Sequence, residues 1–351
     1  MNSNCRHFLW LGIVFLSILF IISCQKGQEN HSDSDIISFD LSDAALADWG
    51  VGAFALQRGE VDGFYQDGPL SVSLRVYEMQ PTKGVSITTD NLQDFYVYAY
   101  TEDDVIFMEN QIVQREGDNW TYSPKKYWPN GTLDFFAYDI SKFNRNNIRN
   151  IVCSTDKESG EYSFSFYYAL PPSDIYQNID AENQSDFIFA IEPSRSREDG
   201  SVTFHFKHLL SSILFEVGDI PDEPVVINYI ELANLYGRCN VTIHYDSVHD
   251  YLYSWSYIGL PTEVYTQSFQ DVDGNGGTDY VSDNQLLTED PWKTFFMIPQ
   301  EFGDSALINV SMSVSGEELP LLSIPLAEVH SEGNRGWSPG KQYVYRISYK
   351  R

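Results

Sequence analysis

The sequence predicts an all-β protein made of two successive antiparallel β-sandwiches. Three observations carry that prediction. Apolar and aromatic residues alternate with polar ones at a period of two along one stretch after another, the pattern of half-buried strands. Aromatic residues make up 15% of the chain, mostly Tyr and Phe, and these side chains fit pleated, half-buried surfaces. No stretch sustains a heptad or a 3.6-residue apolar stripe. With 351 residues, the chain is long enough for two domains that each bury a core.

Taken in order, residues 1–23 have the proportions of a secretory signal: Arg6 and His7 precede an apolar run from Phe8 to Ile22 that is too short for a comfortable membrane span. The run ends Ile21-Ile22-Ser23-Cys24. Aliphatic residues, a small residue and then cysteine resemble a lipobox, so Cys24 is expected to carry a covalent lipid such as palmitate. Residues 24–35 are polar and read as a tether. Ile36–Leu41 is the first candidate strand, and Val72–Met79 is the clearest strand before residue 90. Arg58 lies in a loop between these two.

In Phe95–Ile140, Phe95, Val97 and Ala99 alternate with Tyr96, Tyr98 and Tyr100. Leu133, Phe135 and Ala137 alternate with Asp134, Phe136 and Tyr138. Trp120, Tyr122 and Tyr127-Trp128-Pro129-Asn130-Gly131 lie between, the last two residues being a strong turn signal. A β-meander with an aromatic core is expected here. Tyr162–Tyr168 is a clean strand closed by Pro171-Pro172, and Asp186–Ala190 is a short one. The charged, turn-rich stretch Glu192–Gly200 marks the expected boundary between an N-terminal domain, 36–198, and a C-terminal domain, 199–351. Alternation then resumes at Val202–His208, Ile213–Val217, Tyr251–Tyr257, Ile308–Val314 and Tyr343–Tyr349.

Charge and motifs exclude more than they assign. The balance of 22 basic to 50 acidic residues leaves a net charge of -28, which rules out electrostatic capture of nucleic acid or of an anionic membrane surface. His205 and His208 are three apart on a strand, hence on opposite faces, and cannot share one metal ion. His208 is expected in the core and His205 in solvent. The loop containing Asp271, Asp273, Asn275 and Asp279 matches the first nine positions of a calcium loop. Its twelfth position is Ser282 rather than a bidentate Glu, so either a Ca²⁺ site or a plain Asp/Asn/Gly hairpin loop fits. Cys153 and Cys239 have no pairing signature and are expected as buried free thiols. No nucleophile elbow, zinc-protease helix or phosphate loop occurs, and no enzyme activity is expected.

The order of these landmarks resembles the fimbrillin family, lipoprotein-derived pilus subunits of Gram-negative bacteria. The resemblance rests on the lipobox at Cys24, Trp120/Tyr122/Trp128-Pro129, Leu133–Tyr138 and Asp186–Ala190. Further along it rests on Phe206–Ser211, Phe296-Met297-Ile298-Pro299 and Trp337-x-Pro339-Gly340-x-x-Tyr343. It implies transthyretin-like sandwiches, export as a lipoprotein to the outer membrane, and incorporation as stalk, tip or anchor of an adhesive surface fimbria with a host or bacterial surface ligand. It also implies partner subunits joined by β-strand addition after an arginine-directed protease removes the first strand. Arg58 is then the residue to cut, Arg75 being inside a strand. The final strand, with Tyr343, Tyr345, Ile347 and Tyr349, is the candidate donor. The competing expectation is a surface glycan-binding lipoprotein with Tyr251–Trp255 as a stacking platform.

Overall fold

The computed structural model describes residues 35–42, 61–78, 92–140, 147–156, 159–170, 186–269, 280–283, 285–287, 294–331 and 333–350. In chain order the strands of the first part are β1 (Phe39–Leu41), β2 (Gly63–Asp67), β3 (Leu70–Glu78), β4 (Asp94–Thr101), β5 (Ile106–Glu116), β6 (Asn119–Thr121), β7 (Leu133–Ile140), β8 (Ile148–Asp156), β9 (Glu161–Ala169) and β10 (Phe187–Arg195). There follow β11 (Val202–Phe204), β12 (Lys207–His208), β13 (Ser211–Val217), β14 (Val225–Leu235), β15 (Arg238–Asp246), β16 (Asp250–Tyr257) and β17 (Glu263–Ser268). The last are β18 (Phe295–Met297), β19 (Leu307–Val314), β20 (Glu317–Glu318), β21 (Leu322–Pro325) and β22 (Lys341–Tyr349), with one short helix, α1 (Leu326–Val329), before β22.

Strands β4 to β7 and β10 with β12 form a six-stranded antiparallel sheet, β12-β10-β7-β4-β5-β6. The expected meander is corrected here. Strand β7 returns to the free side of β4 instead of following β6, so the order is not the chain order. A second expectation changes too. Strands β4 and β7 were to be half-buried, yet Leu133 through Asp139 are all buried. One face, with Phe95, Val97, Phe135 and Ala137, meets the two-stranded parallel layer β1-β11. On the other face, Phe136 and Tyr138 pack on Phe164 of β9 at ring separations of 6.3 and 5.9 Å. The aromatic richness of this stretch follows from filling two cores at once.

That second layer is the four-stranded sheet β16-β15-β9-β8. The five-stranded sheet β18-β13-β22-β3-β2 and the sheet β17-β14-β19-β20, to which β21 adds, contribute buried residues to one shared core. Two pairings are parallel, β1 with β11 and β13 with β22, so the sandwiches are mixed at these points.

The boundary expected at 198/199 falls in the 3-10 turn Arg197–Asp199. Hydrogen-bonded pairs cross it at β1–β11, β10–β12, β3–β22 and β9–β15. Strand β10 itself runs on through Pro193 to Arg195. A bulge, with Ser194 at φ 52°, takes up the irregularity there. Inside it Glu192 is buried and satisfied: Arg195 lies at 2.5 Å, and the backbone N–H of His205 donates at 3.0 Å. Cys153 and Cys239 are free and buried.

Two-faced burial of β7 has a measurable consequence. Phe135→Ala and Phe136→Ala should each lower unfolding free energy by about 3–5 kcal/mol, the cost of emptying a large aromatic site. Urea titration separates this from one-sided burial, for which Phe136→Ala would cost almost nothing.

Candidate functional site

Residues 35–42 form an extended segment held at both edges. Its odd-numbered residues face 126–128: the N–H of Ile37 donates to the carbonyl of Lys126 at 3.0 Å, and the N–H of Trp128 donates to the carbonyl of Asp35 at 2.9 Å. Its even-numbered residues face β11: the N–H of Val202 donates to the carbonyl of Ser38 at 2.9 Å, and the N–H of Ser42 donates to the carbonyl of Phe204 at 3.0 Å. The Tyr122 hydroxyl adds a bond to the carbonyl of Ile37 at 3.0 Å. Asp35 pairs with Arg197 at one end.

The same segment supplies core. Ile37 and Phe39 are buried, whereas Ser38 and Asp40 are exposed, the alternation the sequence predicts. The Phe39 ring stacks on Phe204 at 5.6 Å and meets Tyr122 at 5.3 Å and Phe135 at 6.0 Å. Burying these two side chains is worth roughly 1.5–3 kcal/mol each. Removing the segment would strip these hydrogen bonds together with the β1–β11 ladder and open an aromatic slot. Each polar group left buried without a partner would cost about 1–3 kcal/mol.

Strand β22 sits differently. It is the middle strand of its sheet, antiparallel to β3 from Lys341 to Tyr349 and parallel to β13 from Gln342 to Ile347. Tyr343, Tyr345, Ile347 and Tyr349 are buried in the main core. Arg346 pairs with the buried Glu216 at 2.9 Å, whose carboxyl is pushed up by burial against the pull of Arg346 and Arg75. Arg75 lies within β3, as expected.

The loop before β22 is locked to it. Trp337 Nε1 donates to the Tyr345 hydroxyl at 2.9 Å; the hydroxyl is 2.7 Å from His330 Nε2, and His330 Nδ1 is 3.0 Å from the carbonyl of Asn334. The network is complete when the imidazole is neutral, with Nδ1–H donating and Nε2 accepting from Tyr345. Burial holds His330 down at about 4, against the raising effect of its bond to Asn334.

The remaining sequence expectations fall as follows. His208 is buried 2.5 Å from Asp186, and His205 points outward to Glu192 at 2.7 Å. Tyr251, Tyr253, Trp255 and Tyr257, which include the row expected as a stacking platform, are partly buried and line one wall of a cleft. Among the described residues no group of three or more His, Cys, Asp or Glu could hold a metal. Residues 1–23, Cys24, Arg58 and the loop with Asp271, Asp273, Asn275 and Asp279 lie outside the described residues. Sequence reasoning missed the pairing edge at 126–128. Its signal was present, however, in Tyr122, whose ring meets Phe39, and in Trp128, whose ring meets Phe135.

A family model described as fimbrillin-like matches residues 82–351. The chain is similar in structure to a fimbrial protein of Bacteroides vulgatus, with 16% identity over 73% of this chain and 91% of that one at a TM-score of 0.45. It is also similar to a fimbrial anchor protein of Porphyromonas gingivalis, with 15% identity, 67% and 75% coverage and a TM-score of 0.29. A tip fimbrial protein of the same organism shows 9% identity, 74% and 92% coverage and a TM-score of 0.34. No curated protein matches the chain.

The His330 network sets a pH dependence. Unfolded histidine titrates near 6.5 and the folded group at about 4, so between these values the unfolded chain binds more protons. Stability should fall as pH drops from 6.5 towards 4, by at most about 3 kcal/mol from this group. In urea titrations His330→Gln should lose that component of the slope; parallel curves for variant and parent would contradict it.

Proposed function

The chain belongs to the fimbrillin-like family, and from that premise we propose that it is a fimbrial subunit that accepts a neighbour's strand in the slot now filled by residues 35–42. The observation that carries this reading is the way that segment is bound. It pairs through backbone groups at both edges and through two alternate side chains, Ile37 and Phe39. Any extended chain with two suitable apolar residues at that spacing can satisfy the same groups, which is the physics of β-augmentation. The segment is also short and contributes no strand to the β12-β10-β7-β4-β5-β6 sheet, so its loss leaves that sheet itself intact.

In this proposal the chain is exported as a lipoprotein, tethered to the outer membrane through lipid on Cys24, and displayed at the cell surface. Cleavage after Arg58 then frees the slot. A donor role for Tyr343, Tyr345, Ile347 and Tyr349 would require β22 to leave two partners at once. We therefore assign the chain the acceptor half of the exchange. Its work is mechanical and adhesive, with no enzymatic step.

The exchange is testable in solution. A chain beginning at residue 59 should bind a synthetic peptide of residues 34–43 and gain several degrees of melting temperature. A peptide carrying Phe39→Asp should give none of that gain, because it would bury an unpaired carboxylate in the aromatic slot. Equal stabilisation by both peptides would refute the slot as a strand acceptor.

A further inference from the structure

A cleft of about 530 Å³ opens between the aromatic face of β16 and the loop 333–339. It lies apart from the strand slot, and nothing in the assembly reading uses it. Its aromatic wall is Tyr251, Tyr253, Trp255 and Tyr257, one ring every second residue, about 7 Å apart along the strand. Three of these rings are held from behind. Tyr251 and Tyr253 meet Phe189 edge-on at 5.2 and 6.1 Å, and Tyr257 stacks on Tyr236 at 4.7 Å while its hydroxyl donates to the carbonyl of Pro299 at 2.9 Å. Trp255 alone of the four has no ring partner, and its indole N–H makes no hydrogen bond among the described residues. It is a partly buried indole, packed on one side against the core and lining the cleft on the other.

The opposite wall is polar and equally fixed. Glu301, Asn334 and Arg335 are exposed along it. The side chains of Asn334 and Arg335 make no hydrogen bond or ion pair among the described residues. The backbone that carries them is clipped in place: the N–H of Phe302 donates to the carbonyl of Arg335 at 2.9 Å, and the N–H of Trp337 donates to the carbonyl of Gln300 at 2.9 Å. Gly336 makes the approach possible, since a Cβ there would lie 2.5 Å from the Gln300 carbonyl oxygen. The lining therefore offers one indole without a ring partner facing planar donor and acceptor groups, with one acidic and one basic side chain in balance. Little ordering entropy is left to lose on binding.

We propose that this cleft binds a neutral oligosaccharide, one pyranose ring lying with its C–H face on Trp255 while its hydroxyls meet Asn334, Arg335 and Glu301. Planar carboxylate, amide and guanidinium groups suit pairs of adjacent hydroxyls, which donate and accept at once. The balanced lining within a chain of net charge -28 disfavours polyanionic glycans. A proline-rich peptide fits less well. It needs several open aromatic slots in series, whereas Tyr251, Tyr253 and Tyr257 are each already packed against another ring.

The test uses the full mature chain and reads tryptophan fluorescence and calorimetry against two neutral arms: oligosaccharides of animal O-glycans, and fragments of bacterial and plant polysaccharides. Binding in either arm supports the cleft and names the source. Trp255→Ala and Asn334→Ala should each weaken it about tenfold. Asn334→Ala, at an exposed position, should leave the melting temperature unchanged. The proposal is overturned if no neutral sugar binds at millimolar concentration, if both variants bind as the parent does, or if only sialylated glycans or a proline-rich peptide bind. None of these outcomes depends on whether residues 35–42 can be exchanged.

Discussion

Strands β7 and β10 are buried on both faces, and the rest of the architecture follows from what covers each. A strand carries two rows of side chains and two backbone edges, and in water all four must be satisfied by apolar contact or hydrogen bonds. For β7 the edges go to β4 and β10. One face goes to the sheet of β9 and β15, long strands with many aromatic contacts. The other goes to the thin layer of β1 and β11, each three residues long. The two covers are unequal in extent. In the proposed exchange, that inequality makes the first strand the piece that leaves.

The energetics of the slot point the same way. Ile37 and Phe39 fill it, and Phe39 is the ring around which Phe95, Tyr122, Phe135 and Phe204 are arranged. A subunit without this segment would expose an aromatic cavity and several buried carbonyl and N–H groups together. An extended segment with apolar residues two apart restores both. In the proposed exchange the slot would select for strand character and for spacing more than for a particular sequence. Strand β22 is fixed by the opposite logic: two paired edges, a buried Arg346–Glu216 contact and the Trp337–Tyr345–His330 network all tie it to its own sheet.

Much of this was legible in the residues. Alternation located β3, β9, β13, β16, β19 and β22, and parity alone placed His208 inward and His205 outward. Strand β5 was not found. Asn110 at φ 47° and two register shifts against β4 break its period, so Met108 and Val113 are both buried although their sequence spacing is odd. The placement of β7 beside β4, and the parallel pairing of β13 with β22, are decided by which faces fit together, and local pattern holds no record of that. Tyr251–Tyr257 could be read as a row of rings. Its opposite wall lies near residue 335, too far along the chain for spacing to reveal.

The central claim is that residues 35–42 occupy a slot meant for another chain's strand, and the amino terminus of the protein at the cell surface tests it most directly. Sequencing surface fimbriae should find a mature chain that starts just after Arg58, with the segment gone and the slot filled by a neighbour. A mature chain that starts at lipidated Cys24 and retains residues 35–42 within assembled fimbriae would contradict the account.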